Sequence, residues 1–314
     1  MTAKIFIDGA AGTTGLEIRE RLSGRADISL ITLSDAERKD ARARRQALNA
    51  ADVVILCLPD DAAREAVSLI DNPNTRVIDA STAHRVGEGW TYGFAELEAD
   101  CAAKIAGAKR VSNPGCWATG FLALARPLVR AGLVPIDFPL TVHGVSGYSG
   151  GGKSMIEEFE KADSPVYVET VQRGYALGLG HKHIPEMTRH AGLSHAPLFS
   201  PSVARFYRGM LVELPLQLWA LDGEPKLADL HGALSHAYEG KALVEVASLE
   251  EAAALKGLDA EILAGSNRMK LFVFGKDDQA RLVAAFDNLG KGAGGAAVQN
   301  LNIMLNIPET TGLI

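Results

Sequence analysis

An α/β fold follows from three features of the 314-residue chain. Short apolar strands alternate with helices through Val111, a glycine-rich turn comes straight after the first strand, and from Phe138 the strands become longer and richer in β-branched and aromatic residues. The first pattern spells a doubly wound parallel sheet, the last an α+β domain. Two domains also suit the length, which exceeds the usual single-domain size. We place the first over residues 1–112, joined by 293–314, and the second over 113–292.

Lys4–Asp8 reads as a strand that turns through Gly9, Gly12, Thr13, Thr14 and Gly15 into a helix over Leu16–Leu22. Such a strand–turn–helix cradles a pyrophosphate: glycines let the backbone approach, and the helix N-terminus faces the charge. The spacing is GxxGxxG rather than the commoner GxGxxG, so a purely structural turn is the alternative. In the first reading the domain is a Rossmann-type dinucleotide fold. Ile28–Leu33 is the second strand, and Ser34, Arg38 and Lys39 follow it where an acidic residue would otherwise hold a ribose hydroxyl. That set suits the 2′-phosphate of NADP, although Asp35 lies among them. Asp52–Leu58 is nearly all apolar, as a strand buried on both faces should be, which makes Cys57 a core residue. A helix over Ala62–Ile70 and a strand over Arg76–Asp79 come next. The loop Asp79–Arg85 then lies at the carboxyl edge of the sheet, where ligands bind. It brings Ser81 to the cofactor and offers Arg85 as a fork of donors for phosphate, or as an exposed arginine; His84 reads as a surface or packing residue.

The run Arg110–Leu124 carries the reactive group. Asn113 is a good N-cap and Pro114 suits the first helical position, which puts Cys116 at the third. Unpaired N–H groups and the positive end of the helix dipole lower a thiol's pKa there and can hold an oxyanion. The alternative is a cysteine that merely packs. Further on, Ser146 and Lys153 bracket a glycine loop suited to an anion. Its letters satisfy a Walker A pattern, but a P-loop would use the first strand–helix turn, already taken by Gly9–Gly15. Gly178–Met187 holds His181, His183 and Glu186. The spacing is wrong for zinc and we expect no metal; a base with an orienting neighbour fits better, with His183 alternatively a helix cap. Strands over Phe206–Leu218, Arg268–Phe274 and Leu282–Phe286, a helix over Lys226–Tyr238, and a last helix from the glycine-rich stretch at Gly290 through Leu305 complete the chain. That last helix is apolar on more than one face and should return, buried, to the first domain.

A formal net charge of −6 leaves no basic footprint for nucleic acid or an anionic membrane surface, so the partner should be a small molecule. Cys57, Cys101 and Cys116 form no disulfide framework, no apolar run approaches membrane-spanning length, and Met1–Gly9 lacks a signal pattern. A reducing, cytoplasmic setting is expected.

Taken together, Gly9–Gly15, Asp79–Arg85, Ser112–Cys116, His143–Lys153, Gly180–Glu186, Asp287–Ala293 and Ala297–Asn302 resemble N-acetyl-γ-glutamyl-phosphate reductases in their shorter form. The resemblance spans nearly the whole chain; Asn-Pro-Gly-Cys with Gly-His-x-His and the C-terminal block is its specific part. It implies NADPH-dependent reduction of N-acetyl-L-glutamyl 5-phosphate, an acyl phosphate of arginine biosynthesis, by a homodimer or homotetramer. It further implies Cys116 as nucleophile, His181 as acid/base, Arg85 near the substrate phosphate and Asn300 near the nicotinamide. Asn113, Ser146, Lys153, His183 and Glu186 would line the substrate, with Lys182, Arg205 and Arg208 as candidates for its α-carboxylate. Trp117 departs from the longer forms, which carry tyrosine there, and Gly151-Gly-Lys153 from their Ala-Gly-Arg. Aspartate-semialdehyde dehydrogenase shares the fold and the thioester route, and a catalytically idle NADP-binding sensor is the other alternative.

Overall fold

The computed structural model describes residues 2–313, which divide into two compact units. Of the described residues, one unit comprises 2–95, 100–114 and 293–313, the other 96–99 and 115–292. The first holds β1 (Ala3–Asp8), α1 (Thr13–Leu22), β2 (Ile28–Ile31), α2 (Ala41–Ala50), β3 (Val53–Leu56), α3 (Asp60–Ser68), β4 (Arg76–Asp79), β5 (Thr91–Tyr92), α4 (Cys101–Gly107) and β6 (Arg110–Ser112). Its six strands pair in parallel in the order β2-β1-β3-β4-β6-β5. β3 is buried at all four positions, as a central strand covered on both faces must be. Val54 and Leu56 share one core with Leu48 of α2 and Ala63 and Ala66 of α3. The chain crosses from one side of β1 to the other between β2 and β3, and this reversal opens a crevice at the carboxyl edge.

The second unit holds α5 (Cys116–Arg130), β7 (Thr141–Gly147), α6 (Gly152–Glu160), β8 (Gln172–Gly174), α7 (Ile184–Ala191), β9 (Leu198–Ala204), β10 (Met210–Gln217), α8 (Leu227–Tyr238), β11 (Val244–Val246), α9 (Leu249–Ala254), β12 (Met269–Lys276) and β13 (Gln279–Phe286). These strands form one mixed sheet, β11-β12-β13-β10-β7-β9-β8. Helix α5 is apolar almost all round and lies on β10 and β13. A Cβ at Gly120 would come within 2.5 Å of Val212, so only glycine lets helix and sheet approach so closely. α8 docks on α5 through Tyr238, whose hydroxyl donates to the Ala123 carbonyl at 2.9 Å. The glycine loop expected before Lys153 is instead a 3₁₀ turn, Tyr148–Gly151, running directly into α6.

After β13 the chain makes a π-turn over Gly290–Gly294 and then α10 (Gly295–Met304), which belongs to the first unit. All ten residues of α10 are buried, against α1, α4 and β4. Arg25 donates to Asn302 at 2.7 Å, and Arg76 donates to the Met304 carbonyl. Among the described residues no helix is long and apolar enough to cross a membrane.

Candidate active site

In the first unit, the turn after β1 has the shape a dinucleotide requires. Gly9 sits at φ +88°, and a Cβ there would run into the Cys57 carbonyl. One at Gly15 would collide with the backbone of Gly9 and Ala10, so α1 starts flush against the turn. Gly12 is the N-cap of α1, whose first residues are Thr13 and Thr14. Ser81 accepts and donates within the loop after β4: its Oγ donates to Asp79 at 2.7 Å and accepts from the Ala83 N–H at 3.1 Å. Asn300 on α10 donates to the Gly93 carbonyl and to Asn113 Oδ1, at 2.9 and 3.0 Å, and leaves its own Oδ1 buried with no partner. A buried acceptor of that kind calls for an N–H donor, which a carboxamide supplies. These residues fit a dinucleotide.

At the end of β2 the residues read as NADP ligands are also bonded to their neighbours. Glu37, not singled out in sequence, folds back so that its carboxylate accepts from the Ser34 N–H at 2.8 Å and the Ser34 hydroxyl at 2.7 Å. Arg38 is joined to Asp35 at 3.0 Å and to the Leu33 carbonyl at 3.2 Å. Arg19 and Arg44 line the same cleft as Arg38, and neither stood out in sequence because each lies on a helix remote from β2.

Asn113 is not the helix cap. The helix begins at Cys116 itself, with Gly115 as N-cap, because the Asn113 N–H continues the sheet by donating to Asp79 at 2.7 Å. Its side-chain amide donates one N–H to the Ala293 carbonyl at 3.0 Å and accepts from Asn300 at 3.0 Å, which fixes the side chain and leaves its second N–H to face a ligand. The thiol therefore stands at the first helical position rather than the third, nearer the open end. Arg85 is buried, donating to the Asn113 carbonyl at 3.0 Å and the Ala80 carbonyl at 3.1 Å, so it braces the segment leading to the nucleophile. His84 is no idle surface residue: its Nδ1 lies 2.6 Å from buried Asp79 and its ring stacks on Trp90.

Around Cys116 the second unit assembles a compact set. Glu186 of α7 is buried, and its Oε1 accepts from the Gly115 N–H at 2.8 Å, tying α7 to the start of α5; it positions the helix rather than facing open space. The indole N–H of Trp117 donates to the Tyr175 hydroxyl at 2.8 Å. Burial, reinforced by the Cys116 charge, pushes the Tyr175 phenol above its ordinary range. Sequence reasoning missed Tyr175 because nothing in its local pattern marks it. His183 takes the N-cap position of α7, but its side chain makes no capping bond; instead its backbone N–H donates to His181 Nδ1 at 3.1 Å. A nitrogen that accepts carries no proton, so the neutral His181 ring keeps its proton on Nε2. Phe199, His183 and Tyr175 pack around that ring, with centroids 5.0, 4.7 and 5.9 Å away.

The remaining candidates, Ser146, Lys153, Lys182, Arg205 and Arg208, belong to the same unit. Ser146 is buried, its hydroxyl on the Gly147 carbonyl, while Lys153 and Lys182 are exposed. Arg205 donates to the carbonyls of Phe159, Val168 and Thr170, and Arg208 pairs with buried Asp287 at 2.6 Å. Both thus brace the fold of the second unit through these bonds. Cys57 is inert, its thiol pushed up to about 12 by burial and by Asp79 and Asp8.

Comparison with known proteins places this arrangement. Residues 4–105 match the family model for the semialdehyde dehydrogenase NAD binding domain, and residues 116–288 that for the semialdehyde dehydrogenase dimerisation domain. The fold is that of aspartate semialdehyde dehydrogenase II from Vibrio cholerae, with a TM-score of 0.72 at 14% identity over 98% of this chain and 99% of that one. The Candida albicans aspartate semialdehyde dehydrogenase solved with NADP gives 0.67 at 14% identity, over 97% and 99%. Relatives from Brucella ovis and Brucella melitensis, named N-acetyl-gamma-glutamyl-phosphate reductase, are each 54% identical over 97% of this chain and 99% of their own. The chain belongs to the N-acetyl-γ-glutamyl-phosphate reductase family, within the semialdehyde dehydrogenases.

Proposed function

We propose that this protein reduces N-acetyl-L-glutamyl 5-phosphate to N-acetyl-L-glutamate 5-semialdehyde and phosphate with NADPH, in arginine biosynthesis. The observation that carries the reading is the thiol of Cys116 at the first position of α5, in the unit where His181 holds its proton on Nε2. The Cys116 thiolate attacks the acyl carbon and phosphate leaves, forming a thioester. Gly9, Gly12, Thr13, Thr14, Gly15, Ser34, Arg38, Ser81 and Asn300 would hold the dinucleotide, which would supply the hydride when bound. His181 Nε2–H donates a hydrogen bond to the alkoxide oxygen that hydride addition leaves, and that oxygen re-forms the carbonyl as the C–S bond breaks, which restores the thiolate and frees the aldehyde. N–H groups at the start of α5 stabilise the oxyanion. Arg85, Ser146, Lys153 and His183 remain the side chains for the acyl phosphate, with Glu186 setting the helix that carries the thiol.

In this reading residues 1–112 with 293–314 bind NADP, and residues 113–292 carry catalysis and dimerisation. A cytoplasmic homodimer or homotetramer fits three cysteines held in no disulfide and the exposed apolar side chains Val171, Leu177 and Trp219 of the second unit. The test runs the reaction backwards. Protein given NADP and phosphate should oxidise N-acetylglutamate semialdehyde much faster than aspartate semialdehyde. Equal rates, or a preference for the latter, would overturn the substrate; no phosphate-dependent turnover of either would leave an idle sensor.

A further inference from the structure

The turn between β13 and α10 is built in an expensive way. Lys291 and Glu96 are each only 2% exposed, and the Lys291 ammonium reaches both carboxylate oxygens, at 2.6 and 2.7 Å. Desolvating two charges costs several kcal/mol per ion, and apolar residues of the same volume would fill such a space at least as stably. The pair therefore contributes position more than stability. What it positions is a π-turn, a rare form with one extra residue per turn that recurs at functional sites. The turn is gripped at its start as well, since Asp287 Oδ1 accepts from the Leu289 and Gly290 N–H groups at 2.8 and 3.2 Å. Directly after Lys291 comes Gly292, where a Cβ would stand 2.8 Å from the Cβ of Cys116 and 3.2 Å from the Phe286 ring. The turn's backbone is thus packed directly on the nucleophile.

We propose that the Lys291–Glu96 pair is a latch that registers this turn against Cys116, and that Lys291, Glu96 and Gly292 are positioning residues for the thiol. The inference rests on Cys116 being the reactive group, so its test includes a readout that needs no substrate. In the K291M/E96Q double variant both charges go together, leaving no unpaired ion in the core. Folding by circular dichroism and NADP binding should match the parent. kcat should fall by roughly 10- to 100-fold, as expected for a nucleophile displaced by a fraction of an ångström to 1 Å, with KM little changed. Iodoacetamide labelling of Cys116, read on its own peptide by mass spectrometry, should show its pH midpoint moved upward, because a thiol shifted from the helix end loses thiolate. Gly292→Ala should act the same way through the added methyl, and decides the question if the double variant does not fold. Parental kcat together with a parental labelling midpoint in the variant that folds would overturn the latch. A shifted midpoint in a protein that turns over neither semialdehyde would support the latch while refuting the substrate proposal.

Discussion

At the scale of single residues, the chemistry depends on a helix that begins where the thiol is. Cys116→Ser should be inactive yet still bind NADP, since a hydroxyl stays protonated and an ester accepts hydride poorly; dye-free calorimetry with NADP beside a turnover assay checks both halves. His181→Asn should lose roughly 100- to 10,000-fold in phosphate-dependent turnover. His183→Asn should lose far less, because the bond that orients His181 comes from the His183 backbone and survives the change. If His183→Asn is the crippled variant, the two roles exchange. Tyr175→Phe leaves the Trp117 indole N–H without its acceptor and should lower kcat by about tenfold; an unchanged rate would make Tyr175 packing alone. Local sequence pointed to Cys116 and His181 because glycine, proline and histidine spacing is a local signal. It misplaced the helix start because the Asn113 N–H bonds the Asp79 carbonyl across the sheet, a long-range pairing that no local pattern reveals. Glu37 was missed for a related reason: a carboxylate six residues beyond a strand end (37 against 31) reads as a solvated face until the turn folds it back onto Ser34.

At the scale of elements, legibility followed length and burial. β3, β10, β12 and β13 announce themselves by apolar or β-branched runs, whereas the two residues of β5 and three each of β8 and β11 exist only through their partners. One such edge gives a stability prediction. Lys270 on β12 reaches Glu245 of β11 at 2.7 Å and Glu251 of α9 at 2.6 Å. Those hydrogen bonds raise its pKa above 10.5, outweighing partial burial. A lysine raised on folding contributes stability fully below its unfolded pKa and loses it as pH rises through the folded value. Lys270→Met should therefore lower the unfolding free energy at pH 7 by the ~0.5–1 kcal/mol typical of a largely exposed network, read by denaturant melts, and the gap from the parent should narrow above about pH 10.5. A gap independent of pH would assign the loss to packing of the lysine stem.

At the scale of the whole molecule, the first unit is discontinuous in sequence: its last helix is made some 180 residues after β6 (295 against 112) and is buried along its full length. The return was legible because an apolar helix without a polar face needs cover on every side. That only this helix completes the unit follows from contacts with α1, α4 and β4, and it predicts a selective lesion. Leu301 of α10 is fully buried. Leu301→Ala removes three carbons from that core and should cost about 2–5 kcal/mol. If the first unit bears the loss, the variant should bind NADP weakly and show a lower melting transition that NADP raises again, since a ligand that binds only the folded form restores stability by mass action. Iodoacetamide labelling of Cys116 at 25 °C should meanwhile keep its parental pH midpoint, because α5 starts in the second unit and its N-cap is held there by Glu186. Loss of the labelling midpoint in step with NADP binding would show instead that the two units unfold as one.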